Sequence, residues 1–150
     1  IDSGEPHALR LDMAAAIERA REISGQARIS YVAFDDDGRE RRVVADPARW
    51  GDAVIVRKDV PASYHLAVVV DDHRQSITHV TRGRDLEAAT DLHRLLQVLF
   101  AFEAPRYHHH RLLLDEGGAK LAKRSGSESL RSLREKGLTP EDIRRMIKAG

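Results

Sequence analysis

Cysteine is absent from the 150 residues, which excludes disulfides and thiolate metal sites within the chain and fits a cytoplasmic protein. No apolar run approaches the roughly 20 residues that a bilayer-spanning helix needs, so no membrane partner is expected. Neither charge sign dominates: Lys plus Arg number 25 and Asp plus Glu 24, so bulk charge does not mark a nucleic-acid binder. Tryptophan occurs once, at Trp50, and reads as a packing residue rather than a base-stacking platform. Neither a methionine nor a signal-like segment opens the chain at Ile1, so it is expected to be part of a longer protein.

What is present is one domain's worth of chain, long enough to bury a core. Charge is unevenly distributed. From Lys120 onward there are nine Lys or Arg against four Asp or Glu, a local excess of five positive charges. Such an end suits a polyphosphate or an RNA backbone, although single arginines there fit a solvated helix surface equally well.

In chain order, residues 8–11 read as a short strand and residues 13–23 as a helix with Gly25 as its stop. Residues 29–34 and 42–45 are β-rich runs around Asp35-Asp36-Asp37-Gly38, a hairpin signal. The three aspartates lack the alternating ligands and distal glutamate of a calcium loop. Asp46-Pro47 to Gly51 forms a boundary before a β run over 53–57. Residues 64–72 are ambiguous by pattern, three consecutive valines favouring a buried strand. Asp71 and Asp72 invite an acid/base reading, but helix-end carboxylates serving neighbouring groups are the plainer one.

Residues 77–81 alternate as a half-buried strand, and Arg82-Gly83-Arg84-Asp85 turns into a helix over 86–102 with Asp85 as its N-cap. Ala88, Leu92, Leu95, Leu96, Leu99 and Phe102 form its apolar stripe. Strand, loop, helix, strand is the βαβ grammar of an α/β sheet, in which ligands gather at the carboxyl ends of strands, where Arg82 falls. His108-His109-His110 would alternate across a strand, so one metal ion cannot use all three, and no metal site is assigned. Ser125 and Glu128 have capping-box spacing before a helix ending at Gly137. Thr139-Pro140-Glu141-Asp142 opens a last helix with Ile143, Met146 and Ile147 on its apolar face.

Two lysines three apart after a Gly-Gly turn, Lys120-Leu121-Ala122-Lys123-Arg124, form a basic loop suited to a polyphosphate. Preceding it, in order, come Pro61-Ala62-Ser63-Tyr64-His65 through Asp72, then Thr78-His79-Val80-Thr81-Arg82-Gly83, then Pro105-Arg106-Tyr107-His108-His109. This ordered set resembles the catalytic domain of class I glutamyl-tRNA synthetases, and most of all their short relatives that place glutamate on the queuosine base of tRNA(Asp). The resemblance is good over residues 51–150 and loose over 1–50.

The resemblance implies the C-terminal half of a Rossmann-type α/β catalytic domain. Residues 1–50 would be a remnant of the acceptor-binding insertion, 51–119 the second half of the catalytic domain, and 120–150 the mobile lysine loop with a helix pair. It makes residues 64–72 a helix presenting Tyr64. It implies activation of glutamate by ATP, with Mg2+, and transfer to RNA. Tyr64 and Arg82 match the positions that hold glutamate. Lys123, assisted by Lys120, matches the catalytic loop lysine that neutralises phosphate charge. His109, with the backbone of a strand containing Leu112 and Leu113, would border ATP together with Lys120 and Lys123. The implied partners are glutamate, ATP and tRNA(Asp) carrying queuosine, and the full-length protein is expected to be a monomer.

Arg84, where many relatives carry glutamate, and Ala122, in place of the loop serine, depart from the family pattern. The family's histidine motif for ATP, and a cysteine zinc site some short members carry, belong upstream of this stretch. The short span after Arg124 leaves no room within this chain for an anticodon-reading domain, which favours tRNA(Asp) over tRNA(Glu). Two readings from other classes stand beside this one: a non-catalytic RNA-binding paralogue, and a metal-dependent hydrolase using Asp71, Asp72 and the histidines.

Overall fold

The computed structural model describes residues 7–114, 117–118, 120–121 and 128–149. The chain divides into two compact units, Ile1–His110 and Arg111–Gly150.

The first unit is mixed α/β, as expected from the sequence. Strand β1 (Leu9–Arg10) pairs antiparallel with β4 (Val54–Val56) in a two-stranded sheet of their own. Helix α1 (Met13–Ser24) starts where the Asp12 carboxylate accepts from the Ala15 amide, and it ends at Gly25 in the left-handed region, φ 64°. Strands β2 (Ser30–Phe34) and β3 (Glu40–Val44) form the hairpin read from the sequence. The Asp35 carboxylate accepts from the amides of Asp37 and Arg39, which explains the acidic turn without a cation.

Helix α2 spans Tyr64–Arg74, with the Ser63 hydroxyl accepting from the Leu66 amide. The cap overrides the β preference of the three valines, and only Val69 of the helix is fully buried. Strand β5 (His79–Gly83) runs parallel to β6 (Arg106–His110), and β6 runs parallel to β2, giving the order β3-β2-β6-β5. The β2–β3 hairpin thus shares its sheet with β5 and β6.

Between β5 and β6 lies α3 (Ala89–Leu99), preceded by a 3-10 turn over Arg84–Leu86. This corrects the start expected at Asp85: the Glu87 amide bonds the Arg84 carbonyl, Asp85 sits inside that turn, and Ala88 caps α3 without a side-chain bond. The burial of α3 also differs from the expected single stripe. Leu92, Leu95 and Leu96 are buried as foreseen, but so are Thr90, Asp91, His93 and Gln97, while Ala88 is exposed. The cause is packing on several sides: α1 and α2 both contact α3, and Gln97 and Arg94 reach the sheet at Tyr107 and Ser30.

In the second unit, β6 has already ended at His110, so no strand continues over residues 111–114 as expected. Instead Leu114 bridges Lys120, and the Leu121 amide donates to the Leu113 carbonyl at 2.9 Å. Helix α4 (Leu130–Glu135) is capped by Ser129, whose hydroxyl accepts from the Ser132 amide. Ser129 therefore takes the role expected of Ser125, which lies outside the described residues; the Glu128 carboxylate accepts from the Ser132 hydroxyl and pairs with Lys136. Helix α5 (Pro140–Ala149) begins with a reciprocal cap between Thr139 and Asp142.

Candidate functional site

Strand alternation settles which side chains can meet. Arg82 lies on β5 directly opposite His109 on β6, on the sheet face that α3 covers. One turn of α3 supplies Thr90 and His93, three residues apart and so on one side of the helix. The start of α2 supplies Tyr64 and His65.

These residues close around the Arg82 guanidinium. Its Nε donates to His109 Nε2 at 3.3 Å, and its Nη2 donates to Thr90 Oγ1 at 2.7 Å. Its Nη1 lies 3.1 Å from His93 Nδ1, and its central carbon sits 5.2 Å from the centre of the Tyr107 ring. Thr90 Oγ1 is 3.0 Å from His109 Nε2, and His93 Nε2 is 3.0 Å from His65 Nδ1. Tyr64 is half exposed and rests its ring 5.9 Å from the His93 ring. Trp50 stands edge-on to His65 at 5.2 Å and donates to the Ala88 carbonyl, a packing role.

Burial, and then the Arg82 charge, hold the histidines neutral: His93 is pushed down to about 3 and His109 to about 4. His65 is lowered for the same two reasons. Neutrality fixes the direction of the hydrogen bonds, because a guanidinium can only donate. His93 must accept at Nδ1, carries its proton on Nε2 and donates it to His65. Thr90 accepts from Arg82 and donates to His109. Every partner of Arg82 in this network is therefore an uncharged acceptor. Among the described residues no carboxylate forms an ion pair with Arg82; Asp72 lies near enough to feel its charge, which lowers that carboxyl while burial raises it more. The three bonds use three of the five guanidinium N–H groups. The arrangement is a cation with donors to spare and no ion-paired carboxylate among the described residues, beside a half-exposed phenol, and such a guanidinium can take a carboxylate.

Of the residues singled out in the sequence, Tyr64, Arg82 and His109 meet here. His109 spends its Nε2 on Arg82 and Thr90, while His108 points to the opposite face, 3.1 Å from Asp36. Arg84 faces Glu87 at 3.9 Å on the surface. In the second unit, Leu112, Leu113 and Leu121 line an apolar groove with Leu133, Met146 and Ile147, and Lys120 forms the bridge to Leu114. Lys123 lies outside the described residues. Among the described residues no group of three or more His, Cys, Asp or Glu side chains is placed to hold a metal ion. Sequence reading missed His65, Thr90 and His93. Their signal was available: polar Thr90 and His93 sit three apart beside Leu92, on a helix whose neighbours are core residues.

A glutamyl-Q tRNA(Asp) synthetase from Rhodobacter capsulatus is 42% identical over 139 residues, covering 93% of this chain and 47% of that protein. A glutamate–tRNA ligase from Gloeobacter violaceus is 37% identical over 116 residues, covering 77% of the chain and 22% of the ligase. The crystal structure of the glutamate-tRNA synthetase of Elizabethkingia anophelis superposes with a TM-score of 0.54 at 30% identity, over 81% of this chain and 22% of that one. The chain thus spans half or less of the length of these relatives. Residues 23–149 match the model of the catalytic domain of class I tRNA synthetases (E and Q). By that match and these identities, the chain belongs to the family of class I tRNA synthetases (E and Q).

Proposed function

We propose that the protein carrying this chain activates glutamate with ATP and transfers the glutamyl group to RNA. A glutamate carboxylate oxygen attacks the α-phosphorus of ATP, the bond to pyrophosphate breaks, and glutamyl-adenylate forms. An RNA hydroxyl then attacks the glutamyl carbonyl and AMP leaves.

The observation that carries this reading is the state of Arg82: oriented on three sides by uncharged acceptors, with no carboxylate bound to it among the described residues, beside Tyr64. Such a guanidinium forks onto the glutamate side chain with charge-assisted bonds, and the Tyr64 hydroxyl adds an oriented contact. Lys123 and Lys120 offset negative charge as pyrophosphate departs. His109, Leu112 and Leu113 serve the nucleotide. Mg2+ would travel on the ATP phosphates, which supply much of its coordination themselves.

The acceptor is taken to be queuosine in tRNA(Asp). This finer reading is supported by two relatives, from Rhodobacter capsulatus and Symbiobacterium thermophilum, named glutamyl-Q tRNA(Asp) synthetases at 42% and 37% identity. The test supplies the intact enzyme with ATP, labelled glutamate and either queuosine-containing tRNA(Asp) or tRNA(Glu). Label on the queuosine nucleoside is the expected result. Label only at the 3′ end of tRNA(Glu) would overturn the acceptor and leave the glutamate chemistry standing.

A further inference from the structure

We propose that His93 is a positioning and selectivity residue for the amino-acid site: it fixes the Arg82 guanidinium through a hydrogen bond while adding no negative charge, so that the full cation is kept for the substrate carboxylate. The inference rests on the reading of Arg82 as the glutamate receptor and says how that receptor is made selective.

A partly buried arginine needs acceptors on its inner edge, or it loses solvation there without compensation. The common solution is an aspartate or glutamate, which would hold the guanidinium in place and also cancel its charge. Here His93 Nδ1 at 3.1 Å, Thr90 Oγ1 at 2.7 Å and His109 Nε2 at 3.3 Å do the holding, and Tyr107 supplies only a ring face. His93 is 1% exposed, so it cannot relax away from this bond toward water. Its ring is fixed from the other end by His65, whose Nδ1 takes the Nε2 proton at 3.0 Å. The proton on Nε2 leaves Nδ1 as the acceptor facing Arg82. Tyr64 packs on the same ring, so one imidazole sets the position of both groups assigned to the amino acid.

The consequence is discrimination between a carboxylate and its isosteric amide. Glutamine matches glutamate in shape, but gains far less from an uncompensated guanidinium. A carboxylate at position 93 would still orient Arg82 and would erase that difference.

Three substitutions in the intact enzyme separate these effects. His93→Gln presents a neutral acceptor with the amide hydrogens toward His65. His93→Leu presents none, and His93→Glu presents a charged one. His93→Leu should raise the KM for glutamate about 10- to 100-fold, the loss expected for one bond to a charged group, with the KM for ATP little changed. His93→Gln should recover most of that loss. His93→Glu should lower the preference for glutamate over glutamine by a further large factor. Equal losses in His93→Leu and His93→Gln, or an unchanged KM in His93→Leu, would overturn the proposal. Arg82→Ala distinguishes the two levels: if it too leaves the KM for glutamate unchanged, the receptor reading itself fails, whereas a raised KM there with none in His93→Leu removes only the role of His93. A measurement on the unsubstituted protein stands apart from any folding defect. The 15N shifts of His93 at neutral pH should show Nε2 protonated and Nδ1 bare, and a proton on Nδ1 would contradict the proposal.

Discussion

His93 Nδ1 lies 3.1 Å from Arg82 Nη1, and the same ring is pushed down to about 3 by burial first and the Arg82 charge second. Burial, with the arginine's help, therefore keeps the histidine neutral, and the neutral histidine keeps the arginine in place. That coupling ties the proposed function and the stability to one partly buried contact.

The functional consequence falls first on Arg82. Arg82→Ala is expected to weaken glutamate recognition by ~2–5 kcal/mol, the typical cost of removing one partner from an enclosed charge pair. Tyr64→Phe should cost less, because the ring still packs on His93 and only a hydroxyl is lost. Steady-state KM values for glutamate check both. An unchanged value in Arg82→Ala would make Arg82 structural and move the amino-acid pocket elsewhere.

Stability should depend on pH through the same histidines. Their folded values lie below the ordinary 6.5, so between those values the unfolded chain binds more protons than the folded one. Stability is then present above about pH 6.5 and is lost as pH falls toward about 4 and below. His93, the more deeply buried, contributes a slope approaching about 1.4 kcal/mol per pH unit within that window. His109 adds less because it is partly exposed. Asp72 and Asp91, raised by burial, act in the opposite sense just above the ordinary carboxylate range, and they reduce the slope at its acid end. Denaturant midpoints from pH 7 to 4 should fall, and fall less steeply in His93→Gln. A flat profile would contradict the burial of neutral histidines.

The ion pair between Arg49 and Asp91 should be asymmetric. The two groups lie 2.5 Å apart, with the Asp91 side chain 5% exposed and that of Arg49 47% exposed. Burial raises Asp91 despite the arginine, so removing the arginine leaves a carboxylate in a place that disfavours it. Arg49→Ala is expected to cost about 1–3 kcal/mol, and Asp91→Asn less, since it removes the buried charge itself. Thermal denaturation of the two variants gives the order, and the reverse order would show that Asp91 is needed as an anion.

Local rules made most of the first unit legible in advance. Asp12, Gly25 and the Asp35 turn follow from capping and turn chemistry, and the β5–α3–β6 unit follows from periodicity. The motif residues Tyr64, Arg82 and His109 could be named, but not their mutual distances, which depend on strand register and on α2 packing against α3. Helix α3 shows why His93 and Thr90 escaped notice. A stripe of leucines directs attention to one face, and a helix covered on several sides hides its polar residues as well. The 3-10 turn at Arg84–Leu86 displaced the start of α3, because a good N-cap residue is only a candidate until the backbone reaches it. The strand expected over residues 111–114 came from the family resemblance, and a motif order does not report that Leu114 turns back to Lys120.

The most direct measurement of the account is glutamate-dependent exchange of labelled pyrophosphate into ATP by the intact enzyme, run with and without tRNA(Asp) or tRNA(Glu). The account predicts exchange with glutamate and far less with glutamine. It also predicts turnover reduced about 10²–10³-fold in Lys123→Ala, the typical cost of removing one electrostatic donor to developing charge. Absence of glutamate-dependent exchange under every tRNA condition, or exchange that is indifferent to Arg82→Ala, would contradict it.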